Sequence, residues 1–281
     1  MMIQLKMLEN MPFIFVVIFI FGLVIGSFLN VVIYRYPKML EHAWRLGAQN
    51  ELGIPSKKTE RFDFILPPSH CIECQTPLRF YDKIPLLSWL YLKGQCRFCR
   101  KKIALRYPAV ELFTGIAFTL PVMFWGLSFW SMAIMGCSIL LIILSLIDVD
   151  HLWLPNSLNY ALLWLGLLVA LLGYSPLNLS QAVSGVMIGY FALWSLYWGF
   201  KFLSGREGLG SGDFLLFGAL GAWVGVQNLI YVALISSFSG ILFTLLSGRT
   251  KDKIPFGIWL ALGGWSVLLF PGFMGLLSKS T

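Results

Sequence analysis

Charge is scarce in this chain, and acidic charge is scarcest. Among 281 residues there are 13 Asp and Glu, 21 Lys and Arg and 3 His, for a net charge of +8. Charged residues make up 12% and hydrophobic ones 58%, against about 25% charged in an ordinary soluble domain. That composition argues against a soluble core. With histidine only at 42, 70 and 151, no His-Glu-x-x-His zinc-hydrolase motif and no Ser/His/Asp or Cys/His nucleophilic set can be written, and there is no P-loop. No Gly-x-Gly-x-x-Gly opens a strand–helix unit. No basic helix or aromatic–basic interleaving stands out, so nucleic acid is not an expected partner. No internal repeat or low-complexity tract is evident.

What is present is a series of apolar runs long enough to cross a bilayer, roughly 20 residues each. Eight spans can be drawn, near 12–34, 109–126, 129–147, 157–173, 181–203, 214–226, 229–247 and 256–277, the sixth short and Gly-rich. The expected fold class is therefore an all-α integral membrane protein of about eight transmembrane helices. The first run is too long for a removable signal peptide, and no small-residue cleavage site follows it. Of the 21 Lys and Arg, 14 lie between Arg35 and Arg106, and Lys201, Arg206, Arg249, Lys251 and Lys253 fall on the same side, leaving Lys6 and Lys279 opposite. The positive-inside rule makes the rich side cytoplasmic. The net positive charge then reads as topology and contact with lipid headgroups.

The only sizeable polar segment, 35–108, holds Cys71-Ile72-Glu73-Cys74 and Cys96-Arg97-Phe98-Cys99, with 21 residues between the pairs. Two C-x-x-C turns at this spacing point four thiolates at one metal, which indicates zinc at Cys71, Cys74, Cys96 and Cys99. A redox dithiol is the alternative, and a disulfide is disfavoured on a reducing cytoplasmic side. Four thiolates close the metal's shell, so such a zinc would be structural. The stretch between the pairs, Tyr81 to Leu90, mixes apolar and turn residues and suits a membrane surface. Cys137, inside an apolar run, reads as a small buried side chain.

Carboxylates at membrane depth are costly and mark functional sites. Asp148-Val149-Asp150-His151-Leu152-Trp153-Leu154-Pro155-Asn156-Ser157 lies between two apolar runs, and Gly208-Leu209-Gly210-Ser211-Gly212-Asp213 opens another. Two spans and a hairpin separate Asp148 from Asp213, so topology puts both at one membrane face and at similar depth. Two carboxylates held together share a proton. The ionised one can activate a water, and the protonated one can give its proton to a peptide carbonyl. The glycines would let an extended substrate strand approach the backbone. Asp150 would tune the pair or bind a basic part of the substrate, while His151 reads as a headgroup-level residue. Asn30, in the first span, and Glu111, in the first turn of the second, each admit a packing role or a contact to substrate or cofactor.

With these residues in view, the chain resembles the type IV prepilin peptidases, a family of bifunctional leader peptidases and N-methyltransferases. The resemblance rests on Gly26-Ser27-Phe28-Leu29-Asn30-Val31-Val32-Ile33-Tyr34-Arg35, the paired C-x-x-C and Arg106-Tyr107-Pro108-Ala109-Val110-Glu111-Leu112. It also rests on Ile147-Asp148 with Leu154-Pro155-Asn156, Gly210-Ser211-Gly212-Asp213 and Pro255-Phe256-Gly257. It departs at Ile258, where many relatives carry Pro. It implies a GxGD-type aspartic peptidase of the bacterial inner membrane that removes the basic leader of type IV prepilins and type II secretion pseudopilins at the cytoplasmic face. It further implies methylation of the new N-terminal residue with S-adenosylmethionine. The family's first catalytic Asp, seven positions before the Pro, carries to Asp148, and its second, closing Gly-x-Gly-Asp, to Asp213, with Asp150, Gly210 and Gly212 in support. The zinc-bearing loop is tied to methyl transfer, since shorter peptidase-only relatives lack it. The division implied is a first span, 1–34, a zinc-binding domain, 35–108, and a peptidase domain, 109–281. Asn30 and Glu111 stand as candidates for the methyl-donor site, and membrane lipids and a homo-oligomer complete the set of partners.

Overall fold

The computed structural model describes residues 2–54, 62–205, 210–248, 255–270 and 272. Lys57, Lys58, Arg61, Arg206, Gly208, Leu209, Arg249, Lys251, Lys253 and Lys279, which bear on the charge and site arguments above, lie outside the described residues. The chain divides into two compact units, Met1–Thr119 and Leu120–Thr281. Among the described residues there are no strands, only two isolated bridges.

The first unit begins with α1, Met2–Glu51, which runs on through Pro37 and past the expected end of the first span. Lys38 to Glu51 is rich in Leu, Ala, Glu, Gln and Arg, strong helix formers whatever their polarity. The buried Arg35 on α1 anchors the following loop by donating to the Asp63 carbonyl at 2.7 Å and to that of Pro67. A 3-10 turn, Phe80–Lys83, leads to the short helix α2, Leu87–Tyr91, and then to α3, Arg106–Trp125. Within the unit α1 and α3 pack side by side, with Phe21 and Phe118 rings 6.0 Å apart.

The second unit is a helical bundle. α4, Phe129–His151, starts in a capping box between Ser128 and Ser131 and stops where Leu152 turns left-handed at φ 56°. Pro155 restarts the chain as α5, Asn156–Leu171. A second capping box, Asn178 with Gln181, opens α6, Leu179–Ser204. α7 spans Ser211–Ser247, and α8 spans Gly257–Leu269. Gly225, at φ 73° and ψ 168°, interrupts α7, and only glycine takes that backbone shape without strain. The break falls where two separate spans, 214–226 and 229–247, are expected. Leu177, from the turn between α5 and α6, packs on Gly225, which puts that turn and the break at one end of the bundle.

The first half of α7, Asp213 to Gly225, forms the centre and is almost wholly buried. Gly185 on α6 meets Gly221 on α7 backbone to backbone, with no room for a methyl on either, the close packing that small residues permit between membrane helices. Two tryptophans tie helices together: the buried Trp223 donates to the Leu162 carbonyl at 3.0 Å and the partly buried Trp265 to the Ser138 hydroxyl at 2.9 Å. Five helices are long and apolar enough to cross a membrane: Pro12–Glu51 of α1, with α3, α4, α6 and α7. α5 and α8 are shorter apolar helices. The architecture is that of an all-α membrane protein.

Candidate active site and metal centre

Asp148 sits one turn before the end of α4 and is 5% exposed. Its Oδ2 accepts the Gly257 N–H at 2.7 Å, and the Ile258 N–H also bonds to the carboxyl group. These are the first amides of α8, whose opening donors have no partner within their own helix. Asp148 therefore caps α8 from a distance, at the end of the helix where the macrodipole favours negative charge. Asp213 is the third residue of α7 and 7% exposed. Its Oδ2 accepts the Gly210 N–H at 3.0 Å, while its own N–H donates to the Gly210 carbonyl at 3.1 Å. Each carboxyl group thus has one oxygen fixed by backbone at a helix start.

A single side chain separates the two segments. A methyl group added to Gly212 would stand 2.8 Å from the Leu154 Cβ, and one added to Gly257 would stand 2.8 Å from the Asp148 Oδ2 and 3.0 Å from the Leu154 Cδ2. Both turns close on Leu154 because neither carries a Cβ. Below them Asn159, fully buried on α5, donates through Nδ2 to the Gly212 carbonyl at 3.3 Å, and its Oδ1 is buried without a hydrogen-bond partner. Asp150, His151 and Asn156 are exposed.

Gly257, Leu154 and Asn159 were not singled out for these tasks in the sequence. The Pro-Phe-Gly turn was visible as a motif, but its pairing with Asp148 is tertiary. Asn159 could have been found as the one amide inside the apolar run 158–173.

In the first unit the ligand atoms of Cys71, Cys74, Cys96 and Cys99 all lie within 4.8 Å of one another, and the Cys71 and Cys99 sulfurs are 3.8 Å apart. Four thiolates bound at about 2.3 Å to a tetrahedral zinc would be spaced by about 3.8 Å, so the cluster fits the metal. The two knuckles are built alike. In the first, the Gln75 N–H bonds to the Cys71 carbonyl and the Cys71 N–H to that of Thr76. In the second, Arg100 bonds to Cys96 and Cys96 to Lys101 in the same pattern. Gln75 and Arg100 both have positive φ, 57° and 59°, and the bridges His70–Pro77 and Gln95–Lys102 close the two turns. The two short turns thus share one hydrogen-bond pattern although, beyond the C-x-x-C itself, their sequences differ. The hydroxyl and backbone N–H of Thr76 lower the Cys74 thiol to about 6, which favours the thiolate a metal needs. Arg97 clamps the second knuckle to the 3-10 turn through Asp82 Oδ1, at 2.9 Å from Nε and 2.7 Å from Nη2. Cys137 is buried in α4, apart from the cluster.

Asn30 and Glu111 face the same α1–α3 seam. The Asn30 Nδ2 donates to the Tyr107 carbonyl at 3.1 Å. The Glu111 Oε2 accepts the Leu86 N–H at 2.8 Å, and Ser27 also bonds to the carboxyl group.

The chain is similar to known proteins over most of its length. Residues 20–125 match the bacterial peptidase A24 N-terminal domain, and residues 135–245 match the type IV leader peptidase family. The type 4 prepilin-like proteins leader peptide-processing enzyme of Escherichia coli O78:H11 (strain H10407 / ETEC) is 48% identical over 243 residues, covering 86% of this chain and 89% of that protein. The prepilin leader peptidase/N-methyltransferase of Aeromonas salmonicida (strain A449) is 44% identical over 280 residues, 96% of each. The protein of the same name from Pectobacterium carotovorum subsp. carotovorum is 42% identical over 261 residues, 90% of this chain and 92% of that one. No solved structure matches the chain significantly. On these matches, which run nearly end to end, the chain belongs to the type IV leader peptidase family.

Proposed function

We propose that this chain is a bacterial inner-membrane aspartic endopeptidase and N-methyltransferase. It cleaves the basic leader of type IV prepilins and type II secretion pseudopilins, then methylates the new N-terminal residue with S-adenosylmethionine. The observation that carries the peptidase half is that the turns holding Asp148 and Asp213 close on one side chain, Leu154, each with its Oδ2 tied to a backbone N–H. That tie orients each carboxyl group and leaves the Oδ1 atoms to the chemistry. One Oδ1 takes a proton from a water, whose oxygen bonds to the scissile carbonyl carbon. The other carboxyl group gives its proton to the carbonyl oxygen. The tetrahedral intermediate collapses as its C–N bond breaks, and the leaving amine takes a proton from the pair. The pair titrates as a unit, and neither Asp is named acid or base. The expected strand-receiving role of the glycines is replaced by a packing one: Gly210 holds the Asp213 Oδ2 and Gly212 lets α7 close on Leu154, and Asp150 faces the basic leader.

The catalytic face is cytoplasmic by the excess of Lys and Arg on that side. The methyl-transfer half is assigned to the segment 35–108. There Cys71, Cys74, Cys96 and Cys99 would hold a structural zinc that organises the loop, and the closed thiolate shell leaves it no open position. S-adenosylmethionine supplies the methyl group. Asn30 and Glu111 already spend polar groups on bonds that hold α1, α3 and the loop together, so we assign them to this framework rather than to the donor.

The test is cleavage of a prepilin-like peptide by purified wild type, Asp148→Asn, Asp213→Asn and Asp150→Asn. The first two variants are expected to be inactive and the third active. An active Asp148→Asn beside an inactive Asp150→Asn would move the site by two residues, and a wild type that cleaves nothing would sink the peptidase. Transfer of label from S-adenosylmethionine to a cleaved pilin tests the second half.

A further inference from the structure

The bond from Leu86 to Glu111 has a consequence for the membrane. Glu111 lies on α3 about 7.5 Å beyond Arg106 at 1.5 Å per residue, and α3 is one of the helices long and apolar enough to cross a bilayer. Its Oε2 holds the Leu86 N–H at 2.8 Å. Leu86 itself has φ 57° and ψ −50°, a backbone shape that a bulky residue keeps only where its surroundings impose it. A buried carboxylate and a strained residue together draw the start of α2 down to the level at which α3 enters the membrane.

The chain's outer face at that level is apolar. Leu87, Leu90 and Tyr91 lie on one face of α2 and are 66%, 63% and 78% exposed, and Ile84, in the extended turn that leads into it, is 43% exposed. Trp89 points the other way, donating to the Ile103 carbonyl at 3.4 Å and packing on Gly94. Lys83 and Lys93 stand exposed at the two ends of the row. An apolar face with cations at its margins is the pattern of a helix lying in the interface, with acyl chains under the face and anionic headgroups beside the cations.

We propose that α2 is a bilayer-surface anchor: Ile84, Leu87, Leu90 and Tyr91 dock into the phospholipid headgroup layer, held at that height by Glu111. Lipid is the occupant because the face is fixed at the level of a membrane-entering helix and its margins carry positive charge. The anchor would keep the thiolate knuckles at the membrane boundary, where the amino end of a freshly cut pilin helix emerges. That last step rests on the proposed methyl transfer.

The test uses the full chain in vesicles of phosphatidylethanolamine and phosphatidylglycerol, with the photoreactive residue p-benzoylphenylalanine in place of Tyr91. A comparison chain carries the probe in place of Ile72, which is equally apolar and 63% exposed on the first knuckle. Phospholipid adducts at position 91 are expected at least about fivefold above those at position 72, given that an interfacial face is buried among lipids. Equal yields, or adducts to protein alone, overturn the anchor. In a second arm, Leu87→Glu with Leu90→Glu is expected to abolish the adduct and cut methylation of a pre-cleaved pilin, with leader cleavage within about twofold as evidence of folding. Lost adduct with unchanged methylation overturns the anchor's part in methyl transfer. A wild type that methylates nothing counts against the proposed function and leaves the lipid result standing.

Discussion

The thiol cluster draws all four ligands from 29 consecutive residues, Cys71 to Cys99, whereas Asp148 and Asp213 stand 65 positions apart. The thiols sit on turns whose carbonyls and amides bond within each knuckle. Their surroundings are half open, with Cys99 exposed and Cys71 and Cys74 intermediate. The carboxylates are buried at the ends of helices, and Asp148 depends on amides 109 residues further along. A local site is held by its own loop, and on the proposed reading a metal would close it. A dispersed site is held by the bundle, so distant packing sets its geometry. The first should fail by losing its metal, and the second by losing sub-ångström alignment.

The sharpest way to separate the two is to remove each site's chemistry in turn. Asp148→Asn or Asp213→Asn should lower the kcat of leader cleavage by about 10³-fold or more, since both proton transfers run through the pair. Zinc content and methylation of a pre-cleaved pilin should be untouched, as measured by metal analysis and label transfer. In the reverse direction, Cys71→Ser or a strong chelator should remove the metal, about one zinc per chain in the intact protein. Methylation should then fall about tenfold or more as the loop loses its organising centre, with cleavage largely kept. If stripping the metal abolished cleavage too, the two sites would not be independent.

Smaller changes sharpen the comparison. Gly257→Ala adds a methyl 2.8 Å from the Asp148 Oδ2 and 3.0 Å from Leu154. The carboxyl group must move to make room, and a displacement of about 1 Å in a catalytic group costs about 10²-fold. The expected result is a roughly 10²-fold fall in kcat with KM little changed. A comparable addition beside the thiol cluster, Phe98→Trp on an exposed side chain, should leave zinc content unchanged.

How much of this was legible in advance follows the same division. The two C-x-x-C turns could be read directly, because a metal site made by one loop is written in its spacing. The near-identical backbones of the knuckles could not, since Gln75-Thr76 and Arg100-Lys101 share no side-chain chemistry. The helical order and the division of α7 followed from runs of apolar residues, whereas the part of Gly225 in the break came from its backbone shape. The extension of α1 to Glu51 was missed because a span was judged to end where hydropathy ended, although helix propensity continued. The pairing of Asp148 with Asp213 was expected from topology. The Gly257 amide that orients Asp148, and the Leu154 side chain against which both turns close, belong to packing between segments far apart in sequence.

Asn159 offers the finest test, because its structural and functional contributions have opposite signs. Its Nδ2 steadies the Gly212 carbonyl at 3.3 Å, next to Asp213, while its Oδ1 is buried with no partner. An unmet buried acceptor costs about 1–3 kcal/mol, and the bond to Gly212 contributes about 1 kcal/mol. Asn159→Leu removes both and keeps a side chain of similar length among apolar neighbours. The midpoint of thermal unfolding in detergent should therefore hold or rise. The turn carrying Asp213 loses its tether, and kcat for cleavage should fall about fivefold, the equivalent of roughly 1 kcal/mol. Asn159→Gln, which keeps the amide, should recover part of that rate without the gain in stability. A variant less stable and fully active would mean that Asn159 serves the bundle and not the site. A variant at least as stable but slower would show a buried amide retained for alignment at the expense of stability, the trade found where a catalytic group must be held in one place.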